Sequence, residues 1–203
     1  LETQGYPVSQ YIKRVEELMG LPVSSKAELR RLEARITKNY HEALRVSLDP
    51  SYGFTSRTRR PPRDCFSAGL SYGYMMLYRY TEAALVSRGL DVRLGFLHEP
   101  SRDRASLALD LAEEFRQPVV DAALLTLYIN KVVSPKRDFV REGEAVYLGK
   151  RGRAIVDKAL RRRLELKVKG MSFLEWIQRQ AEKLRDAILE GGEYKPFIVV
   201  WED

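Results

Sequence analysis

The segment over residues 61–88 constrains the fold most strongly, because apolar residues occupy nearly every face of the helix that it predicts. Pro61 and Pro62 at its start and Gly89 after its end are typical of helix boundaries. A helix that is apolar all round has to be enclosed by other elements. We therefore expect a mainly α-helical protein whose core surrounds this central helix.

Further helices are predicted before and after the central helix. They cover residues 6–19, 24–46, 106–116, 118–133, 152–168 and 172–190, with Ser24 or Ser25 capping the second and Asp103 or Ser106 capping the third. Minor β structure is expected as a short hairpin near residues 139–149 and as one strand in the C-terminal KPFIVVWED. The period-two apolar alternation from Leu90 to His98 predicts a half-buried strand. All 203 residues are expected to form a single helical domain.

Composition limits the class of protein. Hydrophobic residues make up 44% of the chain and charged residues 31%, which is typical of a soluble globular protein. No run of about eighteen uncharged apolar residues occurs, so no membrane-spanning segment is expected. The single cysteine, Cys65, excludes an intrachain disulfide and favours a cytoplasmic location. The first residues lack a targeting signal and do not begin with Met, so we expect an upstream part to be missing.

Positive charge is concentrated in one segment. Residues 150–169 carry a net charge of +7, which equals the net charge of the whole chain. A smaller cluster, Arg57, Arg59, Arg60 and Arg63, precedes the central helix. Concentrated positive charge is typical of proteins that bind a polyanion such as nucleic acid. An ordinary solvated helix face is the alternative interpretation.

Glu33 is the most informative acidic position. The helix over residues 24–46 has an apolar stripe, and Glu33 projects about 40° from Leu29 and about 20° from Tyr40 and Leu44. A carboxylate on a core-facing stripe must be protonated, paired with a base or bound to a metal. Both a salt bridge and a metal remain open at this point. His41 is expected to point elsewhere on the helix.

A second candidate site lies at residues 98–114. His98 precedes a helix on which Asp110, Glu113 and Glu114 occupy the face opposite its apolar side. An imidazole and a cluster of carboxylates could ligate a divalent metal. However, an acidic face opposite an apolar face is also what any surface helix shows.

Three strings around these residues make the pattern more specific. The segments LEARITKNYHEAL, RRPPRDCFSAGLSYGYMMLY and GLDVRLGFLHEPSRDRASLALDLAEEFRQPVVD closely resemble the CRISPR-associated adaptation integrases, the "Cas-one" family. The resemblance is strong over residues 29–121 and loose beyond them. It implies that Glu33, His98 and Glu113 share one divalent metal, Mg²⁺ or Mn²⁺, with Asp110 as a further catalytic residue beside them. Glu113 is preferred over Glu114 because the family's ligand is the third residue after the motif Asp.

The chain departs from this family in three ways. Ala34 stands where the family usually has glycine, and Ser67 stands where it usually has asparagine, which removes an amide that could orient a neighbour. No segment resembles the family's N-terminal β-rich domain, which helps to form its dimer. We therefore expect this chain to be the helical catalytic domain of a longer protein.

The resemblance implies a metal-dependent DNA endonuclease and integrase of prokaryotic antiviral defence. The 3′-OH of a captured DNA fragment would attack a phosphodiester of a CRISPR array, so that the fragment is inserted as spacer DNA. The implied partners are double-stranded or branched DNA, a second copy of the full-length chain and the "Cas-two" protein. The expected DNA contacts are basic residues, namely Arg59, Arg60, Arg102, Arg104, Lys158, Arg161 and Arg162. A non-catalytic helical nucleic-acid-binding scaffold and a related mobile-element integrase are the alternatives.

Overall fold

A computed structural model describes residues 7–199 of the chain. It is mainly helical, as expected, with two short antiparallel strand pairs among the described residues. The helices are α1 (Ser9–Met19), α2 (Lys26–Ser47), α3 (Cys65–Val86), α4 (Ser106–Phe115), α5 (Ala122–Ile129), α6 (Pro135–Asp138), α7 (Lys150–Glu165) and α8 (Phe173–Glu190). The strands are β1 (Phe139–Glu142), β2 (Ala145–Leu148), β3 (Lys167–Val168) and β4 (Met171–Ser172). Within the described range, no helix is both long enough and apolar enough to cross a membrane.

The central helix is α3, and its predicted burial is confirmed. Phe66, Leu70 and Leu77 are at most 2% exposed, and α3 packs against α4, α8 and the β1–β2 hairpin. The helix begins at Cys65 rather than at Pro61, because the Asp64 side chain caps it by accepting a hydrogen bond from the Ser67 backbone N–H at 2.7 Å.

A π-helical segment, Arg116–Asp121, joins α4 directly to α5. Pro118 has no backbone N–H, so it cannot donate the α-helical hydrogen bond to the carbonyl of Glu114, and the helix widens there. Residues five apart would lie about 140° apart on an α-helix, but the wider π-turn brings them towards one side. Arg116 and Asp121 consequently both contact Tyr74 on α3.

The predicted strand over residues 90–98 is wrong. This segment consists of turns and bends, and the side chains of Leu94 and Phe96 are 59% and 64% exposed. Its backbone N–H groups turn towards the Asp110 carboxylate on α4, so a strand ladder does not form. The predicted caps of α4 are also wrong: Ala105 is the N-cap, while the Ser106 hydroxyl donates to the Glu99 carbonyl.

The expected hairpin is confirmed as β1 and β2, which pair from Phe139–Leu148 to Glu142–Ala145. Ser25 and Ser172 cap α2 and α8, and Ser172 forms a capping box with Glu175. The helices over 152–168 and 172–190 are confirmed with bounds shifted by one to three residues.

The predicted C-terminal strand is not formed over residues 195–199, and residues 200–203 lie outside the described range, as does residue 6 of the first predicted helix. The tail is bound by side chains instead of a neighbouring strand. The Phe197 N–H donates to Glu114 at 2.7 Å, and the Gln180 amide donates to the Lys195 carbonyl at 3.0 Å. The buried Phe197 ring stacks on Phe115.

Candidate active site

The His98 ring is fixed by Asp110. Its Nδ1 lies 2.6 Å from Asp110 Oδ1, and the same carboxylate accepts the backbone N–H groups of Phe96, Leu97 and His98 at 2.5 to 3.0 Å. Asp110 therefore closes the loop around the histidine and sets the orientation of the ring. Because Nδ1 faces Asp110, Nε2 is the ring nitrogen that remains for a metal ion or a phosphate.

Glycine is required inside this loop. A Cβ atom added to Gly95 would lie 3.0 Å from Asp110 Oδ2 and 2.8 Å from the Ser106 Cβ, and it would collide with the His98 carbonyl oxygen. Contacts at this distance are tighter than ordinary packing allows. The glycine in the G-F-L-H segment thus permits the close approach of the loop to α4.

Glu113 is bound by an arginine one turn further along the chain. The Arg116 Nη1 atom lies 2.5 and 2.7 Å from the two Glu113 carboxylate oxygens. The Arg116 guanidinium also lies 4.3 Å from the centre of the Tyr74 ring. Burial by itself lowers the pKa of Arg116, but Tyr74 and Glu113 outweigh this effect, so its pKa is raised.

A buried carboxylate, Asp121, lies behind this ion pair. Its two oxygens accept hydrogen bonds from the hydroxyl groups of Tyr40 at 2.7 Å and Tyr74 at 2.6 Å. Burial raises the pKa of Asp121, although both hydrogen bonds oppose the shift. Burial and the nearby Asp121 charge likewise raise the pKa of Tyr40 and of Tyr74, so both tyrosines remain protonated donors. Asp121 thus joins α2, α3 and the π-segment.

Glu33 is exposed, so the prediction that it is buried on a core-facing stripe is wrong. The stripe of α2 is covered only near its C-terminal end, where Ala43 and Leu44 are buried, whereas Leu29 is 45% exposed. Glu33 instead lines an open cleft of about 470 Å³, together with Arg30, His41 and Arg59 among others.

The Glu33 cleft is connected to the His98 loop through Arg30. The Arg30 guanidinium lies 3.5 Å from the Leu97 carbonyl oxygen and 3.4 Å from the Glu99 carboxylate. Residues 30 and 33 are neighbours on the surface of a helix. The N-terminal half of α2 and the His98 loop are therefore adjacent.

Over residues 7–199, no three His, Cys, Asp or Glu side chains converge closely enough to hold a metal ion. The structure pairs His98 with Asp110 and Glu113 with Arg116, and it places Glu33 in the neighbouring cleft. The donor types nevertheless fit Mn²⁺ or Mg²⁺, since one imidazole nitrogen and carboxylate oxygens suit both ions. For these donors to bind one ion, the Glu113 carboxylate would have to release Arg116 or bind the ion and Arg116 at the same time.

A model of the family described as "CRISPR associated protein Cas1" matches residues 2–162. This chain belongs to the Cas1 family. It is 40% identical over 194 residues to CRISPR-associated endonuclease Cas1 1 of Thermus thermophilus, an alignment that covers 91% of the chain and 60% of that relative. The chain thus spans about 60% of the length of the curated Cas1 relatives that it matches.

Two solved structures extend the Cas1 comparison to the fold. A casposase bound to integration product superposes with a TM-score of 0.78 at 25% identity, covering 92% of the chain and 57% of the casposase. A Cas6-RT-Cas1–Cas2 complex gives a TM-score of 0.81 at 26% identity, covering 91% of the chain and 21% of the matched chain. The helical arrangement described above is therefore shared with both of these solved structures.

The basic residues of this Cas1 domain fall into exposed and inward-facing groups. The expected DNA contacts Arg59, Arg60, Arg102, Arg104, Lys158, Arg161 and Arg162 are all exposed. Arg163, by contrast, donates to the Pro118 carbonyl at 2.7 Å and lies over the Phe173 ring. Arg57 is half-buried and donates to the Ser67 carbonyl and the Ser71 hydroxyl. These last two arginines stabilise the fold of the domain.

Three features of the Cas1 site were missed by sequence reasoning. The Arg116–Glu113 pair could have been found, because its spacing of three residues is typical of helical ion pairs. The shared Asp121 bonds to Tyr40 and Tyr74 could not, since they join segments up to 81 residues apart. His41 lines the Glu33 cleft, so the prediction that it points elsewhere on the helix is wrong. Burial is the main cause that lowers the pKa of His41, and repulsion from nearby arginines adds to it.

Glu114 has a different role from Glu113. Its carboxylate accepts hydrogen bonds from the Tyr194 hydroxyl, the Gln180 amide and the Phe197 N–H. These contacts fasten the C-terminal tail to α4. Glu113, by contrast, is paired with Arg116.

Proposed function

We propose that this chain is the helical catalytic part of a divalent-metal-dependent DNA endonuclease and integrase, which joins a 3′-OH end to a phosphodiester of a CRISPR array. The observation that carries the proposal is the His98 ring fixed by Asp110, with Nε2 available, next to the cleft that contains Glu33. The curated relative of Thermus thermophilus is named an endonuclease, and the matched casposase is bound to an integration product. Both names favour phosphodiester chemistry on DNA.

Glu33, His98 and Glu113 are the residues that would hold Mg²⁺ or Mn²⁺. When bound, such an ion neutralises charge on the phosphoryl group and activates an oxygen nucleophile. Asp110 orients His98 through Nδ1, which is the usual role of a carboxylate behind a ligating histidine. Arg59, in the same cleft as Glu33, is placed to attract the phosphate backbone.

The DNA-binding surface would comprise the exposed side of α7 and the loops beside the site. Lys158, Arg161 and Arg162 are exposed on α7, while Arg102 and Arg104 lie in the loop that follows His98. Such residues contact phosphates without reading base sequence. Double-stranded or branched DNA is the substrate class that these charges favour.

A second copy of the full-length chain and the Cas2 protein are the proposed protein partners. The support for Cas2 is the structural match to a Cas6-RT-Cas1–Cas2 complex. The Thermus thermophilus relative is longer than this chain, since the alignment covers 60% of that relative.

Catalysis is tested by Mn²⁺-dependent cleavage and strand transfer on branched DNA. Glu33→Ala and His98→Ala should each abolish both reactions, because each removes a donor of the proposed site, while circular dichroism still shows the helical fold. Glu182→Ala, which removes a partly exposed carboxylate of α8 that is paired with Arg179, is the matched control and should retain full activity. Undiminished activity of His98→Ala would refute the assigned site.

DNA binding is tested by the salt dependence of affinity. Arg161→Glu combined with Arg162→Glu should reduce the slope of log Kd against log salt by roughly 2, since each phosphate contact contributes about 0.9. Arg179→Glu, an exposed arginine on α8, is the control and should leave the slope unchanged. An unchanged slope in the double variant would remove α7 from the DNA-binding surface.

Two specific observations support alternatives. The separation of the predicted metal ligands favours a non-catalytic DNA-binding scaffold, which would bind branched DNA but show no Mn²⁺-dependent cleavage in any variant. The casposase match favours a mobile-element integrase, which would keep the metal site but insert transposon ends in preference to spacer DNA.

A further inference from the structure

Arg116 forms an ion pair with Glu113, one of the proposed metal ligands. The Arg116 Nη1 atom lies 2.5 and 2.7 Å from the two carboxylate oxygens of Glu113, so both oxygens accept a hydrogen bond from the arginine. The two side chains are 23% and 34% exposed, which limits screening by water. Charge-assisted hydrogen bonds of this kind are the stronger ones in proteins.

The arginine is itself held from the other side. Its guanidinium lies 4.3 Å from the centre of the Tyr74 ring, and the Tyr74 hydroxyl donates to the buried Asp121 at 2.6 Å. The π-segment that begins at Arg116 and ends at Asp121 brings both residues to Tyr74. Arg116 therefore cannot simply follow Glu113 when that carboxylate moves.

Another pair on α2 has the same spacing but a different setting. Arg45 binds Glu42 at 2.9 Å, and these side chains are 46% and 38% exposed. The Arg45 guanidinium is not stacked on a ring in any cation–aromatic contact of residues 7–199, although the Tyr11 side chain lies beside it. Partial burial, two carboxylate contacts and stacking on Tyr74 thus distinguish the Arg116–Glu113 pair from an ordinary surface ion pair.

We propose that Arg116 is a positioning residue that holds Glu113 away from the metal position, so that a divalent cation and Arg116 compete for the same carboxylate. This inference rests on the proposed function, in which Glu113 is a metal ligand. An oxygen that accepts a short hydrogen bond from a guanidinium is a weaker donor to a second cation, and the two positive charges repel each other. Binding of the cation is then coupled to release of Arg116.

The test is the affinity of the full chain for Mn²⁺, measured from the electron paramagnetic resonance signal of the free ion. Arg116→Met removes the charge and its hydrogen bonds while keeping an unbranched side chain against Tyr74. It should tighten Mn²⁺ binding about tenfold, the effect expected when a competing charge-assisted hydrogen bond is lost. Arg45→Met, the matched control, should bind Mn²⁺ with unchanged affinity.

Further variants separate this inference from the proposed function. Glu113→Gln should weaken Mn²⁺ binding, and in Glu113→Gln with Arg116→Met the gain should vanish, because the contested carboxylate is no longer present. Arg116→Lys keeps the charge and provides a second variant if Arg116→Met does not fold; it should tighten binding less than Arg116→Met.

Each outcome has one meaning. If His98→Ala and Glu113→Gln both leave Mn²⁺ affinity unchanged, the proposed metal site itself is wrong. If Glu113→Gln weakens binding but Arg116→Met does not strengthen it, the metal site stands and the competition is refuted. Weaker Mn²⁺ binding in Arg116→Met would likewise overturn the inference, since Arg116 would then support the metal-binding conformation of Glu113.

Discussion

Replacement of Asp121 by alanine tests the buried network most directly. Asp121 is 3% exposed, and its carboxylate is the acceptor for the hydroxyl groups of both Tyr40 and Tyr74. Asp121→Ala leaves two hydroxyl donors without this acceptor, at a cost of about 1.5–2.5 kcal/mol each. The free energy of unfolding should therefore fall by about 3–5 kcal/mol, a large part of the roughly 5–15 kcal/mol typical of a domain.

The assay is urea unfolding followed by circular dichroism, with thermal melting as a second measurement. A loss of this size corresponds to a melting temperature lower by roughly 6–20 °C for a domain of this length. Asp121→Asn keeps one acceptor oxygen and nearly the same shape, so it should cost less than Asp121→Ala. Adding Tyr74→Phe to Asp121→Ala should cost less than the sum of both single changes, because the donor that lost its partner is removed.

Asp186→Ala is the control for Asp121→Ala, since the Asp186 side chain is 41% exposed and is paired with Arg185 on α8. It should change the free energy of unfolding by less than about 0.5 kcal/mol. A loss of less than about 1 kcal/mol in Asp121→Ala would refute the reasoning, because the two tyrosine hydroxyl groups would then have found other partners.

Three further predictions concern single positions. Gly95→Ala should accelerate backbone hydrogen exchange in residues 93–99 without affecting α3, because its Cβ would press on Asp110 at 3.0 Å; unchanged exchange would show that the loop has room for a methyl group. Gly73→Ala should lower the free energy of unfolding by about 1–3 kcal/mol, since its Cβ would lie 2.5 Å from a Val120 methyl carbon, and an unchanged urea midpoint would contradict this. Burial, and then repulsion from nearby arginines, lowers the pKa of His41, so its neutral form contributes stability that is full above about pH 6.5 and lost as pH falls towards the folded pKa. In urea titrations below about pH 6.5, His41→Gln should therefore lose less stability than the parent chain, and identical pH profiles would refute the shift.

The helical architecture was predictable from local patterns. The all-round apolar segment that became α3, the basic helix that became α7, the apolar face of α8 and the short hairpin were all predicted from local sequence patterns. Such patterns indicate which side of an element is buried, because the hydrophobic effect favours burial of apolar residues and their spacing can be read within a single segment. The motif residues His98 and Asp110 were also found in the sequence, although their mutual contact was not.

The same local patterns misled where tertiary contacts decide the outcome. The alternation from Leu90 to His98 suggests a strand, yet the N–H groups of its last three residues donate to the Asp110 side chain. Glu33 lies on an apolar stripe, yet its side chain is not covered by a neighbouring element and lines an open cleft. Periodicity predicts that a residue could be buried but not whether another element covers it.

Local sequence patterns predicted most of the helices, the clustering of positive charge on α7 and the residues proposed for a metal site. The partners of these and other polar residues depend on tertiary packing: Asp110 for His98, Arg116 for Glu113, and Asp121 for the two tyrosines. The physical reason is range. Helix propensity and amphipathic pattern act over a few residues, whereas the partner of a charged or hydrogen-bonding group is chosen by whichever distant segment the packed core brings within about 3 Å.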